Sequence, residues 1–518
     1  MIDAALQGPP PGRGVRLIQL ACLAFGFGVA IVALGRRMGL VPALRPRAAG
    51  RARRRPVGEA AATTPVVSSR TARNVATARL ASTVGADVTL TRARKVFASA
   101  RRREELDEAL SLRTAGQVVE ALGGMKGALM KIGQMASYLD EGLPQPIRDA
   151  LASLQDGAPP MSGELAAECI ERELGGRPHD LFLEWDPVPL AAASIGQVHR
   201  ALCLDPADSL EKAVAVKVQY PGVDQAIAAD LANADLLGNV LGMLFRGLDP
   251  VPLVEEIRER VVEELDYLQE AANQRLFASF YRDHPFIRVP RVVDAFSSRR
   301  VLTTELATGA RFDELLTWPQ EEKDLAAEAI YRFVFRSLYR FHAFNGDPHP
   351  GNYLFGRGGS VTFLDFGLVK RFSDEELAVF EQMIDAAVLN PDPTRFRGVV
   401  EDVGLLRRDA PVSTEETSRY FEAFYAIVRD QAPNTITSAY ASDLVRRVFD
   451  TDSPIAQHAT LPRSFVIIQR INLGLYSILA RLNATAPWRS IAEELWPMTS
   501  SPPSTPMGQA EAAWLAAH

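Results

Sequence analysis

The sequence predicts an α+β fold of two lobes, in which a small lobe that contains strands precedes a larger, mostly helical lobe. Stretches rich in β-branched residues cluster between Ser194 and Glu305. From Phe312 to about Asn483, apolar residues recur at helical spacing. Because the strands cluster and do not alternate with helices, the sequence excludes a doubly wound parallel sheet. The chain has 518 residues, 47% of them hydrophobic, which is enough for two or three folded units.

The charge of the chain is unevenly distributed. Residues 1–103 contain 19 Lys and Arg against three acidic residues, or +16, whereas the remaining 415 residues carry a formal charge of −22. A basic head predicts contact with an anionic partner. The acidic body argues against a nucleic-acid-binding protein, so we expect the head to contact an anionic membrane surface.

The cysteine and histidine content excludes two further classes of protein. The three cysteines, Cys22, Cys169 and Cys203, are too few and too scattered for a disulfide framework or a CxxC metal site. The seven histidines show no HExxH pairing, which argues against a dedicated zinc site.

Residues 1–70 are predicted to form a membrane anchor followed by an Arg-rich linker. Leu17–Leu34 is an uncharged run that would span about 27 Å as a helix, close to the thickness of a bilayer core. Arg36 and Arg37 follow at once, so the positive-inside rule places the folded part on the cytoplasmic side. In a eukaryote, the acid-poor leader instead predicts a mitochondrial address and the inner mitochondrial membrane. A leader that does not span a membrane is the alternative.

The folded part is predicted to begin with a helical extension over residues 71–180. We expect a helix at Arg101–Leu122 and a second helix that ends near Tyr138. A short helix at Leu165–Leu174 should stop at Gly175, because glycine readily ends a helix in the left-handed conformation.

The small lobe is predicted over residues 181–309 and the large lobe over residues 310–490, with a C-terminal tail over residues 491–518. A loop-rich stretch at Asn345–Lys370 should interrupt the helices of the large lobe. Pro462–Leu482 contains three arginines and therefore predicts a packed helix, not a membrane span. In the small lobe we expect strands at Ser194–Leu204, Ala213–Tyr220, Val289–Phe296 and Val301–Glu305, and helices at about Asp224–Phe245 and Pro252–Phe280.

The strongest chemical signal lies in the loop-rich stretch of the large lobe. Asp347 and Asn352 have D-x-x-x-x-N spacing, and Asp365-Phe366-Gly367 begins 13 residues after Asn352. A phosphoryl-transfer site needs a carboxylate near the nucleophile, and an Asn and an Asp that hold Mg²⁺. The spacing predicts these roles for Asp347, Asn352 and Asp365. Tyr353–Phe355 and Val361–Leu364 should form a hairpin between the two metal ligands.

A candidate phosphate-binding lysine lies upstream of this loop. Val214–Lys217 is typical of a strand that ends in a lysine, the position expected for a residue that grips the α- and β-phosphates. This lysine needs a carboxylate partner on the following helix. On spacing alone, Glu263, Glu264 and Glu270 are the candidates.

The alanine-rich segment Ala191–His199 occupies the place of a phosphate-covering glycine loop, but it retains only Gly196. An alanine does not readily adopt positive φ, and its Cβ obstructs a close approach of the backbone to phosphate. We therefore expect a geometry for γ-phosphate transfer that differs from that of an ordinary protein kinase.

With these motifs, the sequence resembles the ABC1/ADCK/UbiB (AarF) family of atypical, protein-kinase-like proteins over about Arg101–Leu482. Lys131-Ile132-Gly133-Gln134 is similar to the KxGQ motif of the family, and Glu264-Leu265-Asp266 is similar to its ExD motif. Ala191–His199 is similar to its alanine-rich loop. Glu270 falls where the glutamate of the family pairs with the strand lysine. The resemblance implies a bilobal protein-kinase-like fold with an N-terminal helical extension that carries KxGQ and a mostly helical C-lobe.

The resemblance also implies a function. We expect ATP (or ADP) and Mg²⁺ as cofactors, kinase or ATPase activity, membrane association, and support of isoprenoid-quinone or other membrane-lipid metabolism. The partners would be components of such a pathway and an anionic membrane surface, without nucleic acid, and the KxGQ helices would block protein substrates. The implied residues are Asp347, Lys217 and Glu270 for catalysis; Ala191, Ala192, Ala193, Ser194, Ile195, Gly196, Gln197, Val198, Lys217, Glu305 and Ala307 for nucleotide binding; Asn352 and Asp365 for the metal; and Lys131, Gln134, Glu264 and Asp266 as family-motif residues.

The sequence leaves two other functions open. Gly346–Asn352 is also similar to the catalytic loop of aminoglycoside and choline kinases, which would make the protein a small-molecule phosphotransferase. The second alternative is a non-catalytic, nucleotide-gated scaffold that handles lipids, in which ATP binding only switches the conformation.

Overall fold

The computed structural model describes residues 161–193, 195–225, 264–449, 455, 458 and 473–518. The predicted anchor Leu17–Leu34, the helical extension before Met161, most of the predicted helix Asp224–Phe245, and Ser194 lie outside the described residues. Within the described ranges, no helix is long and apolar enough to cross a membrane.

The small lobe is built around a five-stranded antiparallel sheet. Its elements are α1 (Gly163–Leu174), α2 (Pro178–Leu181), β1 (Glu184–Trp185), β2 (Ala191–Ala192), β3 (Gly196–Asp205), β4 (Leu210–Gln219), α3 (Tyr267–Phe280), β5 (Ile287–Arg288) and β6 (Val301–Glu305). The strand order is β1-β3-β4-β6, and β2 also pairs with β3. Strands β3 and β4 form a hairpin and correspond to the predicted strands Ser194–Leu204 and Ala213–Tyr220, and β6 has the predicted boundaries.

The two faces of this sheet have different surroundings. Because successive side chains along a strand point to opposite faces, Val214, Val216 and Val218 of β4 share one face, and they pack in a buried cluster with Ile170 of α1. The opposite face of β4 carries Lys217 toward the large lobe. The sheet thus separates a hydrophobic core from a polar cleft.

Helix α1 has the boundaries expected from its sequence. The Ser162 hydroxyl accepts a hydrogen bond from the Leu165 N–H at the N-terminus. At the other end Gly175 adopts a φ of 79°, so the predicted left-handed stop is confirmed.

The predicted continuous helix Pro252–Phe280 is wrong at its centre. The chain leaves the helical conformation at Leu265 and Asp266, where the Asp266 carboxylate accepts a hydrogen bond from the Leu268 N–H at 3.0 Å and caps α3. The Leu265 carbonyl accepts a hydrogen bond from Gln219 at 2.9 Å instead of taking a helical partner. Aspartate favours such caps because its side chain competes with the helix for backbone N–H groups.

The predicted strand Val289–Phe296 is also wrong. Val292 makes only an isolated bridge to Thr304, and Asp294–Phe296 is a 3-10 turn. Pro290 has no backbone N–H, which prevents a regular ladder through this segment. The strand lies earlier, at β5, and pairs with the large lobe.

The large lobe is mostly helical, and with the small lobe it confirms the predicted α+β architecture. Its elements are α4 (Phe312–Leu315), α5 (Gln320–Phe341), β7 (Ala343–Asn345), β8 (Tyr353–Phe355), β9 (Val361–Phe363), β10 (Val369–Arg371), α6 (Asp374–Ile384), α7 (Pro393–Asp402), α8 (Thr414–Glu422), β11 (Asn434–Thr435), α9 (Ser438–Phe449), β12 (Thr485–Ala486), α10 (Trp488–Leu495) and α11 (Pro506–Ala517). The described part of the predicted helix Pro462–Leu482 is helical over 473–481.

Helix α5 lies in the hydrophobic core of the large lobe, beside two short β-structures. Phe333 of α5 stacks on Phe363 of β9, with 3.6 Å between the ring centroids. Strands β8 and β9 form the predicted hairpin, with Tyr353 opposite Phe363. Strand β7 pairs antiparallel with β10. The second pairing joins the two ends of the loop-rich stretch and so brings its polar residues together.

The stretch 491–518, predicted as a tail, contains part of α10 and the whole of α11, and both helices are packed. Arg332 of α5 has no exposed surface, and it pairs with Glu328, Glu494 and Glu511 at 2.8 to 2.9 Å. A buried guanidinium needs such partners because an unpaired buried charge is strongly destabilising. Trp514 donates a hydrogen bond to the Arg282 carbonyl at 2.8 Å. The last helix therefore belongs to the core of the protein.

Candidate active site

A buried ion pair lies at the centre of the cleft between the lobes. Lys217 stands opposite Val198 and Leu302 in the sheet. Its Nζ donates to both oxygens of Glu270, at 2.8 and 2.9 Å. Glu270 lies in the first turn of α3, so the helix that Asp266 caps is the element that carries the carboxylate. Of the three candidate glutamates, the structure brings Glu270 to the lysine.

Electrostatics keep this lysine charged. Burial acts to lower the pKa of Lys217, but the carboxylates of Glu270 and Asp365 outweigh it and hold the pKa well above its usual value. Burial raises the pKa of Glu270 to about 7, against the attraction of the Lys217 ammonium. The Tyr267 ring adds a cation–π contact, with its centroid 4.9 Å from Nζ.

The catalytic-loop residues are held by a second set of hydrogen bonds. Asn352 donates from Nδ2 to the carbonyl and to Oδ2 of Asp347, both at 3.2 Å. Asn345, at the end of β7, donates to the Asp365 carbonyl at 2.7 Å and accepts from the Asp347 N–H at 3.3 Å. Asn345 is not among the residues predicted from the sequence. The feature that marks Asn345 is its polar side chain in a strand whose three residues are all buried.

Asp365 faces the lysine from the large lobe. Its Oδ2 lies 3.7 Å from Lys217 Nζ, and its Oδ1 accepts a hydrogen bond from the Gly367 N–H at 3.0 Å. The Nδ2 of Asn352 is engaged by Asp347, so the Oδ1 of this amide is the atom that suits a cation. Carboxylate and amide oxygens suit Mg²⁺, and Asn352 and Asp365 therefore fit a magnesium site.

The alanine-rich segment forms the tight connection between β2 and β3. Ala191 and Ala192 pair with Val198 and Gln197, and the Ala193 N–H donates to the Gly196 carbonyl at 2.8 Å. A Cβ at Gly196 would overlap the Val218 carbonyl oxygen of the neighbouring strand. The single remaining glycine is therefore a steric requirement of the sheet.

Two polar side chains of this segment point away from the cleft. Gln197 and His199 are fully buried, and Gln197 Nε2 lies 2.9 Å from His199 Nε2 and donates to the Met161 carbonyl at 3.1 Å. His199 Nδ1 lies 2.9 Å from the Asp186 carbonyl, and burial lowers the pKa of this histidine. The structure thus does not bring the Gln197 side chain to the face that carries Lys217.

The remaining predicted residues lie at the edges of the cleft or outside the described residues. Arg291 binds the Glu305 carboxylate, with Nε 2.9 Å from Oε1, so that side chain is already engaged. The Ala307 N–H makes no hydrogen bond within the part of the chain that the structure describes. Asp266 caps α3, as given above. Lys131 and Gln134 lie outside the described residues, and Glu264 lies just inside them.

Comparisons with known proteins agree with this geometry. The ABC1 atypical kinase-like domain matches residues 153–398. The chain is 29% identical to "Atypical kinase COQ8B, mitochondrial" of Rattus norvegicus over 390 residues, which cover 74% of this chain and 72% of that protein. It is 30% identical to "Atypical kinase COQ8, mitochondrial" of Saccharomyces cerevisiae, over 53% of this chain and 54% of that one. Residues 153–398 of the chain thus form an ABC1 atypical kinase-like domain.

Structural similarity extends the relationship beyond the matched domain. A solved structure of the complex of Rv3197 with erythromycin, from Mycobacterium tuberculosis, has a TM-score of 0.55 and 31% sequence identity. The similarity covers 76% of this chain and 98% of that one. By contrast, the chain spans 37% and 35% of the lengths of two chloroplastic relatives from Arabidopsis thaliana.

The ABC1 match contains the whole cluster described above. Lys217, Glu270, Asp347, Asn352 and Asp365 all lie within 153–398. The part of the chain that matches the ABC1 domain thus brings together a charged lysine paired with a carboxylate, the carboxylate of Asp347, and the oxygens of Asn352 and Asp365, which suit a cation.

Proposed function

We propose that the chain binds ATP with Mg²⁺ and acts as an atypical kinase or ATPase. The observation that carries the proposal is that Lys217, Glu270 and Asp365 come together from three separate segments. Lys217 Nζ lies 2.8 Å from Glu270 Oε1 and 3.7 Å from Asp365 Oδ2. Asn345 connects Asp347 to this group, because it hydrogen-bonds both the Asp365 carbonyl and the Asp347 N–H. Asn352 in turn hydrogen-bonds Asp347. A purely structural ion pair would not require this second set of oxygen ligands.

Each residue has a separate task in the proposed reaction. The Lys217 ammonium binds the α- and β-phosphates, and Glu270 fixes its position. Asn352 and Asp365 hold Mg²⁺, which neutralises charge on the phosphoryl oxygens when it is bound. The Asp347 carboxylate orients the attacking hydroxyl or water and accepts its proton.

The edge of the small lobe supports adenine binding. Strand β6 ends at Glu305, and the next N–H, that of Leu306, is engaged by the Ala213 carbonyl at 2.9 Å. The N–H of Ala307 is available, as described above. We propose that this N–H and the Glu305 carbonyl bind the adenine ring.

We also propose that the protein acts at an anionic membrane and supports isoprenoid-quinone or other membrane-lipid metabolism. The basic residues 1–103 and the run Leu17–Leu34 support membrane association. The family resemblance supports the pathway, and two relatives are named as mitochondrial atypical kinases.

The test is ATP turnover by the full chain with and without vesicles that contain an anionic lipid. We expect Mg²⁺-dependent turnover that the vesicles increase, and a fall of about 100-fold or more in Asp365→Asn, because one lost electrostatic contact to the transition state costs about this much. Asp409→Asn, an exposed carboxylate on a surface ion pair, is the matched control. Undiminished turnover in Asp365→Asn would contradict the proposal.

A separate experiment tests the pathway. We expect deletion of the gene to change the quinone or lipid profile of the host, and the wild-type gene to restore it. Restoration by an Asp347→Asn variant that binds ATP but does not turn it over would favour the nucleotide-gated scaffold. An unchanged profile would remove the pathway from the proposal and leave the nucleotide chemistry intact.

A further inference from the structure

Helix α3 carries a buried amide whose partner lies in the metal-binding segment. Asn273 is 5% exposed, and its Nδ2 donates a hydrogen bond to the Phe366 carbonyl at 3.0 Å. Residues three apart share one face of a helix, so Asn273 and Glu270 approach the cleft from the same side. The helix that orients Lys217 thus also contacts Asp365-Phe366-Gly367 directly.

A second amide binds the adjoining carbonyl from the other lobe. Asn345 Nδ2 donates to the Asp365 carbonyl at 2.7 Å. Two consecutive main-chain carbonyls, those of Asp365 and Phe366, are therefore each held by an asparagine, one from β7 and one from α3. We call these two hydrogen bonds the asparagine clamp.

The asparagine clamp fixes the direction of the Asp365 side chain. A buried carbonyl that loses its partner is destabilised by about 1–3 kcal/mol, so the peptide planes on either side of Phe366 resist rotation while both amides are in place. The Phe366 ring packs on Phe277 of α3, with 5.0 Å between the ring centroids. If α3 moved away, the Phe366 carbonyl would lose its donor in the same step that separates Glu270 from Lys217.

We propose that Asn273 is a positioning residue that couples the docking of helix α3 to the cation-binding orientation of Asp365. The inference rests on the proposed function, because it assigns a role within the same site. The hydrogen bonds of the Asn273 side chain go to the Phe366 carbonyl and to Gln269, and neither partner is a residue proposed to bind nucleotide or metal. The effect of Asn273 passes through the Phe366 carbonyl to the direction of the Asp365 carboxylate.

The chain offers a matched control on the same helix. Gln274, the next residue, is 1% exposed, and its Nε2 donates to the Pro290 carbonyl at 2.7 Å. Asn273→Leu and Gln274→Met therefore each remove one hydrogen bond from a buried side-chain amide to a main-chain carbonyl, and the first also removes the longer contact from Gln269 Nε2 to Asn273 Oδ1, at 3.4 Å. Only the first of these bonds reaches the metal-binding segment.

The test compares ADP binding by the full chain in Mg²⁺ and in EDTA, measured by calorimetry. We expect Asn273→Leu to weaken binding in Mg²⁺ by about 5- to 10-fold relative to Gln274→Met, the range given by loss of one typical hydrogen bond. In EDTA the two variants should differ by less than about 2-fold, because the bond acts through the cation ligand. If the leucine variant does not fold, Asn273→Ser provides the same comparison.

Two results would overturn the inference, and they are distinguishable. Equal weakening by Asn273→Leu and Gln274→Met in Mg²⁺, with the wild-type protein binding normally, would show that Asn273 is merely structural and would leave the proposed function standing. No Mg²⁺-dependent binding by the wild-type protein would contradict the proposed function, and this inference with it.

Discussion

Gly196 has no side chain, and this allows strands β3 and β4 to lie close together. A Cβ at this position would overlap the Val218 carbonyl oxygen, which belongs to the backbone and cannot turn aside, and would come within 3.0 Å of the Tyr267 hydroxyl. The glycine therefore lets the alanine-rich segment lie close to β4 and to the start of α3. Its role is steric, since its backbone does not need positive φ.

We expect Gly196→Ala to lower the free energy of unfolding by about 1–3 kcal/mol, because β3 must shift to make room for the new methyl group. Gly398→Ala is the control, since a Cβ there meets no atom within 4 Å and the residue lies within helix α7. Alanine at that position should be neutral or stabilise the protein by up to about 1 kcal/mol. Chemical denaturation of the two variants provides the comparison, and equal stability would contradict the steric argument.

The residues of the site divide into those that local spacing reveals and those that it does not. Asp347, Asn352 and Asp365 are predictable because one short segment contains both the loop and the hairpin that hold them. Asn345 and Asn273 are not, because their partners are carbonyl groups 20 and 93 residues away in the chain. A backbone carbonyl has no signature in the sequence, so the side chain that binds it cannot be distinguished from any other polar residue until the fold is known.

Among the elements, the strands with regular alternation were predictable and the interrupted ones were not. Strand β6 agrees because three of its five side chains are β-branched and it lies beside a fully paired neighbour. The segment Val289–Phe296 has a similar composition, yet Pro290 breaks its ladder. The break before α3 depends on Asp266, and an aspartate within a helical pattern does not reveal whether it caps a new helix.

Helix α11 depends on one buried carboxylate, and this predicts a response to acid. Burial acts to raise the pKa of Glu511, but His284, Arg336 and Arg332 outweigh it and lower the pKa to about 2. A carboxyl whose pKa falls on folding stabilises the folded state above its ordinary pKa of 4.5. That contribution is lost as the pH falls from there toward about 2.

We expect Glu511→Gln to lower the free energy of unfolding by about 3 kcal/mol at pH 7, the equivalent of the change in pKa. The difference from the wild-type protein should shrink steadily below about pH 4.5, because protonation then removes the charge from the wild-type side chain as well. Denaturation at a series of pH values measures this. Glu415→Gln, at an exposed glutamate in the first turn of α8, should show no comparable trend, and a difference that is independent of pH would contradict the assignment.

At the scale of the whole molecule, the C-terminal residues complete the fold around α5. Glu511 reaches Arg332 and Arg336, which lie 179 and 175 residues earlier. Trp514 reaches the carbonyl of Arg282, just after α3. Because these partners are so distant in the chain, the sequence predicts only a tail for this region, although the order of strands and helices predicts the two-lobed architecture.

Removal of residues 506–518 should destabilise the protein by about 3–5 kcal/mol, because it withdraws the Glu511 carboxylate from two largely buried arginines. We expect a lower melting temperature and faster proteolysis of the shortened chain. A control that lacks residues 517 and 518 keeps Glu511 and Trp514 and should melt close to the full chain. Equal melting temperatures for all three proteins would show that α11 is dispensable.

The pairing of Lys217 with Val198 and Leu302 also limits how this lobe can vary in evolution. Because side chains alternate along a strand, one residue gained or lost within β4 before Lys217 would turn the ammonium into the hydrophobic core and a valine into the cleft. Gains and losses of residues at the turn 206–209 leave this alternation unchanged, because the turn lies outside the paired positions. The turn is thus where residues can be added or removed without reorienting Lys217, whereas the number of residues between the turn and Lys217 determines which face of the sheet its ammonium occupies.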